Sequence, residues 1–419
     1  MTSPESHLKR IRQLVAAHCE RRTEQIPIEQ SLGRTTRADI IAGFDSPRFD
    51  NSQMDGYAVP AADGGRFEVA ATIPAGTSPQ PLAGKAAPIM TGAAVPADAA
   101  AIIPVEKATP AEFLAPCETI SLPATEPGQF VRVQGCDVAA GSTIIPAGTT
   151  ISAAAVATMA SQSILEVEVF SPARMLICTG GAEIQAAAVT DAQGTATIPD
   201  ANAPMLRAMA YAAGIEVVGQ VSTNDDPSAL KTSLAAAIEN RQPDVIVTSG
   251  GISAGKFEVV RQVLESSSIA EDAPAAAWFG HVDQQPGGPQ GCAVFNGVPI
   301  ICLPGNPVST LVSFRLFVAP VLGHVPPDSW AQLGEATTGI AGHDQFRRGR
   351  VDYRPDGATV AHIIGGSGSH LITQAVEATH LIRIPAGAKL DAGSVVQVYP
   401  RSEERRVGKE CRSRWSPYH

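Results

Sequence analysis

The chain has 419 residues, more than one hydrophobic core usually serves, which predicts roughly two to four domains. Its formal charge of −10 argues against a nucleic-acid partner, because neutralising phosphates requires a basic face. Seven scattered cysteines without a CxxC pair favour reduced thiols, and no apolar run reaches the roughly 18 residues that a membrane helix needs. We therefore expect a soluble, cytoplasmic protein.

The first third of the chain is predicted to change from helix to strand and back. Leu8, Ile11 and Leu14 have the spacing of one amphipathic helix. Residues 44–135 contain short strand-like pieces, such as RFEVAATI, that are broken by Gly and Pro, which indicates a β-rich module. After a Pro-Ala-Gly turn at residues 146–148, Ile, Ala and Val return at helical spacing, so a second helix is expected there.

Strand and helix patterns alternate in the next part of the chain. ARMLICTGG, IEVVGQVST, PDVIVTSGG and VPIICL are typical of buried strands, and APMLRAMAYAAG and DDPSALKTSLAAAIEN of helices, the second with Asp226 at its N-cap and Pro227 in its first turn. This alternation predicts a parallel sheet with helices on both faces. The last segment, residues 330–400, has short strands between Gly-containing turns and predicts a small β-barrel or sandwich.

Three polar, glycine-rich turns follow predicted strands of this sheet. They are CTGGAE at residues 178–183, VTSGGISAG at residues 247–255 and LPGNPVS at residues 303–309. In open parallel sheets ligands bind at the carboxyl ends of strands, where glycines let backbone N–H groups approach an anion. Each turn alone could equally be a plain strand-to-helix connection. Together they predict one shared binding crevice.

The stretch FDNSQMDGYAV, residues 49–59, has neither a helical nor a strand period, and it sets Asp50 and Asp55 among apolar residues. Asp50 and its neighbours could form an Asx-type turn or a helix cap. IMTGAAVP and VQGCDVAAG add Thr91 and Asp137 to the same module. Carboxylates without matching lysines often bind a divalent cation or orient a polar ligand, although each one alone could be a solvated loop charge.

These motifs occur together and in the same order in the molybdopterin molybdenumtransferase family, which includes the E domain of gephyrin. The resemblance spans about residues 8–400 and rests on FDNSQMDGYAV, IPAG, IMTGAAVPADAAAIIPVE, GQFVRVQGCDVAAGSTIIPAGTTI, VTSGGISAG and CLPGNPVS. Because several long motifs agree, the chain resembles this family as a member or a divergent paralogue.

The resemblance implies an α/β plus β multidomain fold. The expected parts are a segmented N-terminal domain (1–43 plus 140–172), a β-rich inserted module (44–139), a three-layer α/β molybdopterin-binding domain (173–328) and a C-terminal β-barrel-like domain (329–400). The arginine-rich tail, residues 401–419, differs abruptly in composition and is expected to be non-native, with a functional basic arm as the alternative.

The resemblance also implies a transferase of molybdenum cofactor biosynthesis, which inserts molybdate into adenylylated molybdopterin and releases AMP with the help of Mg²⁺. Both substrates are anions, so glycine-turn N–H groups and helix N-termini would hold phosphates while carboxylates bind the metal. The family forms homodimers, so a cleft shared between subunits is expected, with further cofactor-biosynthesis or acceptor proteins as partners. Neither nucleic acid nor a membrane is expected.

The site residues that the resemblance implies fall into three groups. The catalytic residues would be Asp55, Asp137, Glu183 and Asp226, with Asp225 as the alternative to the last. The metal ligands would be Asp55, Glu183, Asp226 and Glu258. The cofactor-binding residues would be Thr91, Thr179, Gly180, Ser249, Gly250, Gly251, Ser253, Pro304, Gly305, Asn306, Pro307 and Ser309.

Two stretches depart from the family pattern. SGGISAGKFEVV stands where the family reads SGGVSVGEYDYV, so Lys256 replaces an acid. HVDQQPGGPQG stands where the family carries lysines in KPGKP, and Gln285 and Gly288 have no ammonium group. Fewer cations weaken the binding of anions unless Lys256, His281 or another residue replaces them. A catalytically weakened paralogue that binds pterin or acts as a scaffold is therefore the alternative, and an enzyme that uses tungstate is a third reading.

Overall fold

The structure, a computed structural model, describes residues 2–180, 184–185, 198–223, 226–252, 258–267 and 277–401. The chain divides into two compact units, Arg22–Ser171 and a second unit made of Met1–Arg21 and Pro172–His419. In the described ranges, no helix combines the length and the apolar character needed to cross a membrane. The tail beyond Arg401 lies outside the described residues.

A capping side chain or a proline marks the start of several helices. The α-helices of the described part are α1 (Pro4–His18), α2 (Ala153–Ser161), α3 (Asn202–Ala212), α4 (Pro227–Arg241), α5 (Val259–Ser267), α6 (Pro307–Ser313) and α7 (Ala319–Leu322), with a π-helical segment, Phe314–Val318, between the last two. Asp226 caps α4 as predicted, because its carboxylate accepts hydrogen bonds from Ser228 N at 2.9 Å and Ala229 N at 3.3 Å.

The unit Arg22–Ser171 is built from short strands. They are β1 (Thr23–Pro27), β2 (Ile40–Ile41), β3 (Asn51–Ser52), β4 (Gly56–Val59), β5 (Gly65–Glu68), β6 (Ala87–Ile89), β7 (Ala101–Pro104), β8 (Thr119–Leu122), β9 (Val131–Arg132), β10 (Thr143–Ile145) and β11 (Glu166–Phe170). β1 pairs with β11 and β2 with β10, so the two ends of this unit hydrogen-bond to each other. One apolar cluster around Ile26 and Met159 forms there, and others around Tyr57 and Ile89 form in between.

A six-stranded sheet organises the first part of the other unit. The strands of this part, six of which form the sheet, are β12 (Arg174–Gly180), β13 (Ile184–Gln185), β14 (Ile198–Pro199), β15 (Glu216–Thr223), β16 (Val245–Ser249), β17 (Trp278–His281), β18 (Gln284–Gln285), β19 (Pro289–Phe295) and β20 (Val298–Leu303). The sheet order is β15-β12-β16-β20-β19-β17. The first four strands are parallel, as predicted.

The prediction of a wholly parallel sheet is wrong at one edge, where β19 pairs antiparallel with both of its neighbours, β20 and β17. Asn296 and Gly297 join β19 to β20, and both have positive φ, at 48° and 81°. An Asn-Gly pair between two apolar runs favours a tight hairpin turn because both residues tolerate this conformation. The sequence VFNGVPII therefore contained the signal for this edge.

Helices cover both faces of the sheet. Met175 and Ile177 of β12 pack into the cluster that contains residues of α1, α3, α6 and the π-helical segment. Leu176 and Cys178 alternate with them and face the cluster formed with α4 and α5. Burial of each large aliphatic side chain contributes roughly 1.5–3 kcal/mol, so the two clusters account for much of the stability of this part. The predicted three-layer α/β arrangement is confirmed.

Five of the seven C-terminal strands form a closed barrel, and the two shortest pair only with each other. The seven strands are β21 (Ser329–Leu333), β22 (Thr337–Thr338), β23 (Asp344–Tyr353), β24 (Thr359–Ile363), β25 (His380–Ile384), β26 (Lys389–Leu390) and β27 (Val395–Pro400). The order β23-β24-β21-β27-β25 closes because β25 also pairs with β23. β18 pairs with β23 in turn, which joins the barrel to the α/β part. The predicted β-barrel is confirmed.

Candidate functional site

A cavity of about 900 Å³ lies at the carboxyl ends of β12, β16 and β20. This volume is within the range of small-molecule sites, which are usually roughly 300–1,000 Å³. All the predicted cofactor-binding residues that follow these strands and are described line the cavity, namely Thr179, Gly180, Ser249, Gly250, Gly251, Pro304, Gly305, Asn306, Pro307 and Ser309. Ser253 lies outside the described residues. The structure thus brings the three glycine-rich turns together.

Glycines allow close backbone approach in two of these turns. Gly180 has φ of +132°, and a Cβ atom there would lie 2.6 Å from the carbonyl oxygen of Thr223. A Cβ atom on Gly305 would lie 3.2 Å from the Cα atom of Gly250, so the turns after β16 and β20 meet backbone to backbone. Side chains at these positions would block the approach of a ligand or of the neighbouring turn.

Buried hydroxyl groups tie β16 to the turn after β20. Thr310 Oγ1 donates a hydrogen bond to the carbonyl oxygen of Pro304 at 2.7 Å. Ser249 Oγ lies 2.9 Å from Thr310 Oγ1, and both side chains are almost fully buried. Because buried hydroxyl groups are costly without partners, this network fixes the relative position of the two turns.

Residues 198–202 also line the cavity, and the sequence reasoning missed them. Asp200 accepts a hydrogen bond from Thr179 Oγ1 at 2.7 Å and others from the backbone amides of Asn202 and Ala203 at 2.9 and 3.0 Å. Asn202 Nδ2 donates to the carbonyl oxygen of Gly305 at 2.6 Å. An aspartate just before a helical run is a common N-terminal signal, and it could have identified Asp200.

A loop of the barrel completes the cavity with Ser367, Gly368, Ser369 and His370. The buried side chain of Arg348 holds this loop, since its Nη1 donates to the carbonyl oxygens of Gly368 and Leu371 at 3.3 and 3.0 Å. The amide of Val308 in α6 donates to the carbonyl oxygen of Ser369 at 3.1 Å. This loop was not predicted, although GGSGSH is as glycine-rich and polar as the three predicted turns.

The charges on the described wall of the cavity are few. Asp200 and Glu258 are carboxylates and His370 is an imidazole, and the described lining residues include neither lysine nor arginine. Gln285, which stands in the stretch where the family pattern carries lysines, lines the cavity and has no ammonium group. Lys256 lies outside the described residues. Serine and threonine hydroxyl groups and backbone amides are therefore the main hydrogen-bond donors on the described wall.

The predicted site residues of the unit Arg22–Ser171 form local contacts. Asp55 Oδ1 accepts hydrogen bonds from Thr91 N at 2.6 Å and Thr91 Oγ1 at 2.7 Å, which lower the pKa of this exposed carboxylate. Asp137 Oδ2 lies 3.5 Å from Ser46 Oγ, which donates to it. The structure therefore joins Asp55 with Thr91. Asp137 contacts a different loop.

Comparisons with known proteins identify the family. Models of the MoeA N-terminal region (domain I and II), the probable molybdopterin binding domain and the MoeA C-terminal region (domain IV) match residues 2–163, 170–324 and 331–401. Molybdopterin molybdenumtransferase 2 of Mycobacterium tuberculosis is 34% identical over 95% of this chain and 99% of its own length. The chain belongs to the molybdopterin molybdenumtransferase family.

Other members of the family agree with this assignment. Molybdopterin molybdenumtransferase of Staphylococcus aureus is 28% identical over 89% of this chain and 90% of its own length. The crystal structure of a molybdopterin biosynthesis MoeA protein from Pyrococcus horikoshii superimposes with a TM-score of 0.74 at 27% identity, covering 94% of this chain and 98% of that one. The resemblance inferred from the motifs is confirmed. The roles of individual site residues stay predictions.

The predicted metal ligands are only partly described. Glu183 and the alternative Asp225 lie outside the described residues, Asp226 caps α4, and Glu258 lines the cavity. In the part of the chain that the structure describes, no group of three or more His, Cys, Asp or Glu side chains is placed to hold a metal ion. Mg²⁺ often takes only one or two carboxylates together with substrate phosphates, and Glu258 fits that kind of site.

Proposed function

We propose that this protein is a molybdopterin molybdenumtransferase, which inserts molybdate into adenylylated molybdopterin and releases AMP. The observation that supports this most is the convergence of three glycine-rich strand ends on one cavity of about 900 Å³. Family membership over almost the whole chain supports the same reaction. A pterin nucleotide is an elongated anionic ligand, and such ligands bind at the carboxyl ends of parallel strands.

The chain's own residues would bind and orient the two anions. Ser309, Ser367 and Ser369 line the cavity and carry hydroxyl groups that can donate to phosphate or molybdate oxygens. The glycine backbones let an anion approach peptide N–H groups closely. His370 is the described lining residue that can become cationic. Orientation of the reacting groups in a partly closed cavity lowers the barrier by reducing the entropy lost in reaching the transition state.

We propose that Glu258 in the cavity wall would hold Mg²⁺ together with the substrate phosphates, with Glu183 and Asp226 as further candidate ligands. When bound, Mg²⁺ would polarise the phosphoric anhydride and offset the charge of the two anions. Removal of Mg²⁺ with a chelator is expected to stop AMP release, and excess Mg²⁺ to restore it. AMP release that continues at full rate in the chelator would remove the metal from the proposal.

The arrangement of subunits is also a proposal. We propose a homodimer in the cytoplasm, in which Asp55, Thr91 and Asp137 of one subunit complete the cavity of the other. The exposed carboxylate of Asp55, held by Thr91 rather than by a cation, is suited to such a role. We also retain the four-domain division at residues 43, 139, 172 and 328 as a proposal, together with binding to other cofactor-biosynthesis or acceptor proteins.

A second function is favoured by one observation. The described lining residues include no lysine or arginine, which would leave two anions with weak electrostatic attraction. A pterin-binding or scaffold paralogue with little turnover is therefore the alternative. It differs from the enzyme in one measurable property, because it would bind pterin without releasing AMP.

AMP release distinguishes the two functions. Purified protein is incubated with adenylyl-molybdopterin, molybdate and Mg²⁺, and AMP is measured by chromatography, with a parallel reaction without molybdate. We expect molybdate-dependent AMP release well above the protein-free background. Pterin binding without AMP release would support the paralogue, and the absence of both would contradict the proposed site. Replacing molybdate by tungstate tests the choice of oxyanion.

A further inference from the structure

Asn202 links two segments of the cavity wall. It is the first residue of α3, and its Nδ2 donates to the carbonyl oxygen of Gly305 at 2.6 Å. The two residues are 103 positions apart in the chain. The contact therefore holds the start of α3 against the turn after β20.

The geometry of this amide is unambiguous. A carbonyl oxygen only accepts hydrogen bonds, so the NH₂ end of Asn202 must face Gly305. Among the described residues, Asn202 Oδ1 is buried and has no hydrogen-bond partner. Burial of this oxygen without a partner is unfavourable and offsets part of the gain from the hydrogen bond to Gly305. We therefore expect the side chain to contribute little to the stability of the fold.

The position of Gly305 affects the rest of the cavity. Its Cα region touches Gly250, because a Cβ atom on Gly305 would lie 3.2 Å from Gly250 Cα. Two residues before Asn202, Asp200 accepts a hydrogen bond from Thr179 Oγ1 at 2.7 Å. The short segment 200–202 is thus hydrogen-bonded to the turn after β12 through Asp200 and to the turn after β20 through Asn202.

We propose that Asn202 is a positioning residue: by holding the carbonyl oxygen of Gly305 it fixes the turn after β20 relative to the start of α3 and, through Asp200, relative to the turn after β12, where the pterin nucleotide would bind. This inference rests on the proposed function. Asn202 acts on the substrate through Gly305, so its loss should weaken binding of the substrate more than it slows turnover.

Two substitutions at this position separate donation from acceptance. Asn202→Ala removes the hydrogen bond, and Asn202→Asp keeps the size and an acceptor but places a carboxylate oxygen against the carbonyl oxygen of Gly305. We expect KM for adenylyl-molybdopterin to rise about ten-fold in the alanine variant and more in the aspartate variant, with kcat within about two-fold of the wild type. An aspartate in the first turn of a helix is favourable, so the second variant should fold.

Asn240→Ala is the matched control. Asn240 Nδ2 donates to the carbonyl oxygen of Ala236 at 2.9 Å within α4, and neither residue lines the cavity. Its removal should leave KM and kcat unchanged. Wild-type KM in Asn202→Ala would overturn the proposal. A wild-type KM in Asn202→Asp beside a raised KM in Asn202→Ala would also overturn it, because the side chain would then act as an acceptor.

Hydrogen exchange gives a readout that does not depend on activity. Amides in the peptide covering residues 303–313 should exchange faster in both Asn202 variants than in the wild type and in Asn240→Ala, in the absence of substrate. Equal exchange in all four proteins would contradict the proposal. If the wild type released no AMP, the proposed function would fail, whereas faster exchange in the variants would still support the positioning role.

Discussion

In the unit Arg22–Ser171, carboxylates accept hydrogen bonds one by one from backbone amides of other loops, whereas in the α/β part polar residues from several distant segments line one cavity. Asp45 accepts a hydrogen bond from Ala140 N at 2.8 Å, Asp50 from Gln134 N at 2.7 Å and Asp55 from Thr91 N at 2.6 Å. These bonds join loops that are distant in the chain, so a structural role accounts for Asp50 and Asp55 of FDNSQMDGYAV without a ligand. A cluster of acids in a sequence is therefore weaker support for a metal site than a series of strand ends is for a ligand cavity.

The difference follows from topology. Neighbouring parallel strands have their carboxyl ends at the same edge of the sheet, so the glycine-rich turns that follow them lie close together. Short antiparallel strands and loops impose no such meeting point. Asp55 and Asp137, which are 82 positions apart in the chain, contact different loops of their unit.

The largest expected loss of AMP release is at Asp55, and it tests whether this residue has a role beyond its contact with Thr91. Asp55→Asn keeps an oxygen that can accept from Thr91 N but removes the charge. If Asp55 completes a cavity as proposed, AMP release should fall at least about a hundred-fold, the loss typical for one essential charged group, while the protein stays folded. Thr91→Ala, which removes only the hydroxyl donor, should have a smaller effect. A fully active Asp55→Asn protein would remove Asp55 from the catalytic residues.

Replacing one glycine by alanine in each unit compares how tightly the two backbones are packed. Gly180→Ala would place Cβ 2.6 Å from the carbonyl oxygen of Thr223 at φ +132°, and we expect a loss of about 2–4 kcal/mol of stability and loss of AMP release. Gly148→Ala in the other unit has φ +76° and nothing within 4 Å, so about 1–2 kcal/mol is expected. Denaturant unfolding measures both. Equal losses would show that crowding at Gly180 is unimportant.

The two units should also differ in their response to acid. Burial, and repulsion by Arg10, lower the pKa of His7 to about 3, whereas an exposed histidine has a pKa of about 6.5. Below about pH 6.5 the unfolded chain binds a proton that the folded chain does not, so stability of this part falls by up to about 1.4 kcal/mol per pH unit. Hydrogen bonds, chiefly from backbone amides, lower the pKa values of Asp45, Asp55 and Asp98. The stability that these ionised carboxylates contribute is therefore lost only below about pH 4.

His7→Phe tests this difference. His7 is fully buried, with ring centroids 4.9 Å from Trp278 and 4.8 Å from Phe317, so phenylalanine is a suitable replacement. The loss of stability between pH 6.5 and 5, followed by denaturant unfolding with tryptophan fluorescence, should become smaller in the variant. Unchanged pH dependence would mean that His7 is not the titrating group. Asp45→Asn should lower stability above about pH 4 and change the slope of the curve only below that pH.

The smallest effect is expected at the C-terminus. The family match ends at residue 401, and Arg401 Nη1 donates to the carbonyl oxygens of Ala375 and Ala378 at 2.6 and 2.8 Å. Removal of residues 402–419 should leave the rate of AMP release unchanged and the free energy of unfolding within about 0.5 kcal/mol of that of the full chain. Removal of Arg401 as well should cost about 1 kcal/mol. A large loss of activity in the shorter truncation would support the alternative of a functional basic arm.

Much of the fold could be predicted because local patterns determined it. The Pro227 start of α4, the apolar runs of β12 and β16 and the turns after them are readable from neighbouring residues. Local patterns in the last segment left a barrel and a sandwich both open, because the closure of the barrel and the pairing of β18 with β23 depend on contacts between distant segments. The antiparallel edge was predictable from Asn296 and Gly297 and was overlooked.

The candidate site was predictable only where it follows strands. Asp200 and Asn202 reach the cavity because of the position of α3, and the loop with His370 comes from another domain of the fold. Their side chains resemble many polar loop residues in the sequence, so only the three-dimensional arrangement identifies them. Asp226 shows the opposite case, since the predicted cap is present and its catalytic role stays a prediction.

Hydrogen exchange of the full-length protein with and without adenylyl-molybdopterin tests the central claim, that the pterin nucleotide binds at the carboxyl ends of β12, β16 and β20. The account predicts slower exchange on binding in peptides that cover residues 247–252, 303–310 and 366–371, with little change in α4. Protection confined to other parts of the chain, with these three peptides unchanged at saturating ligand, would contradict it.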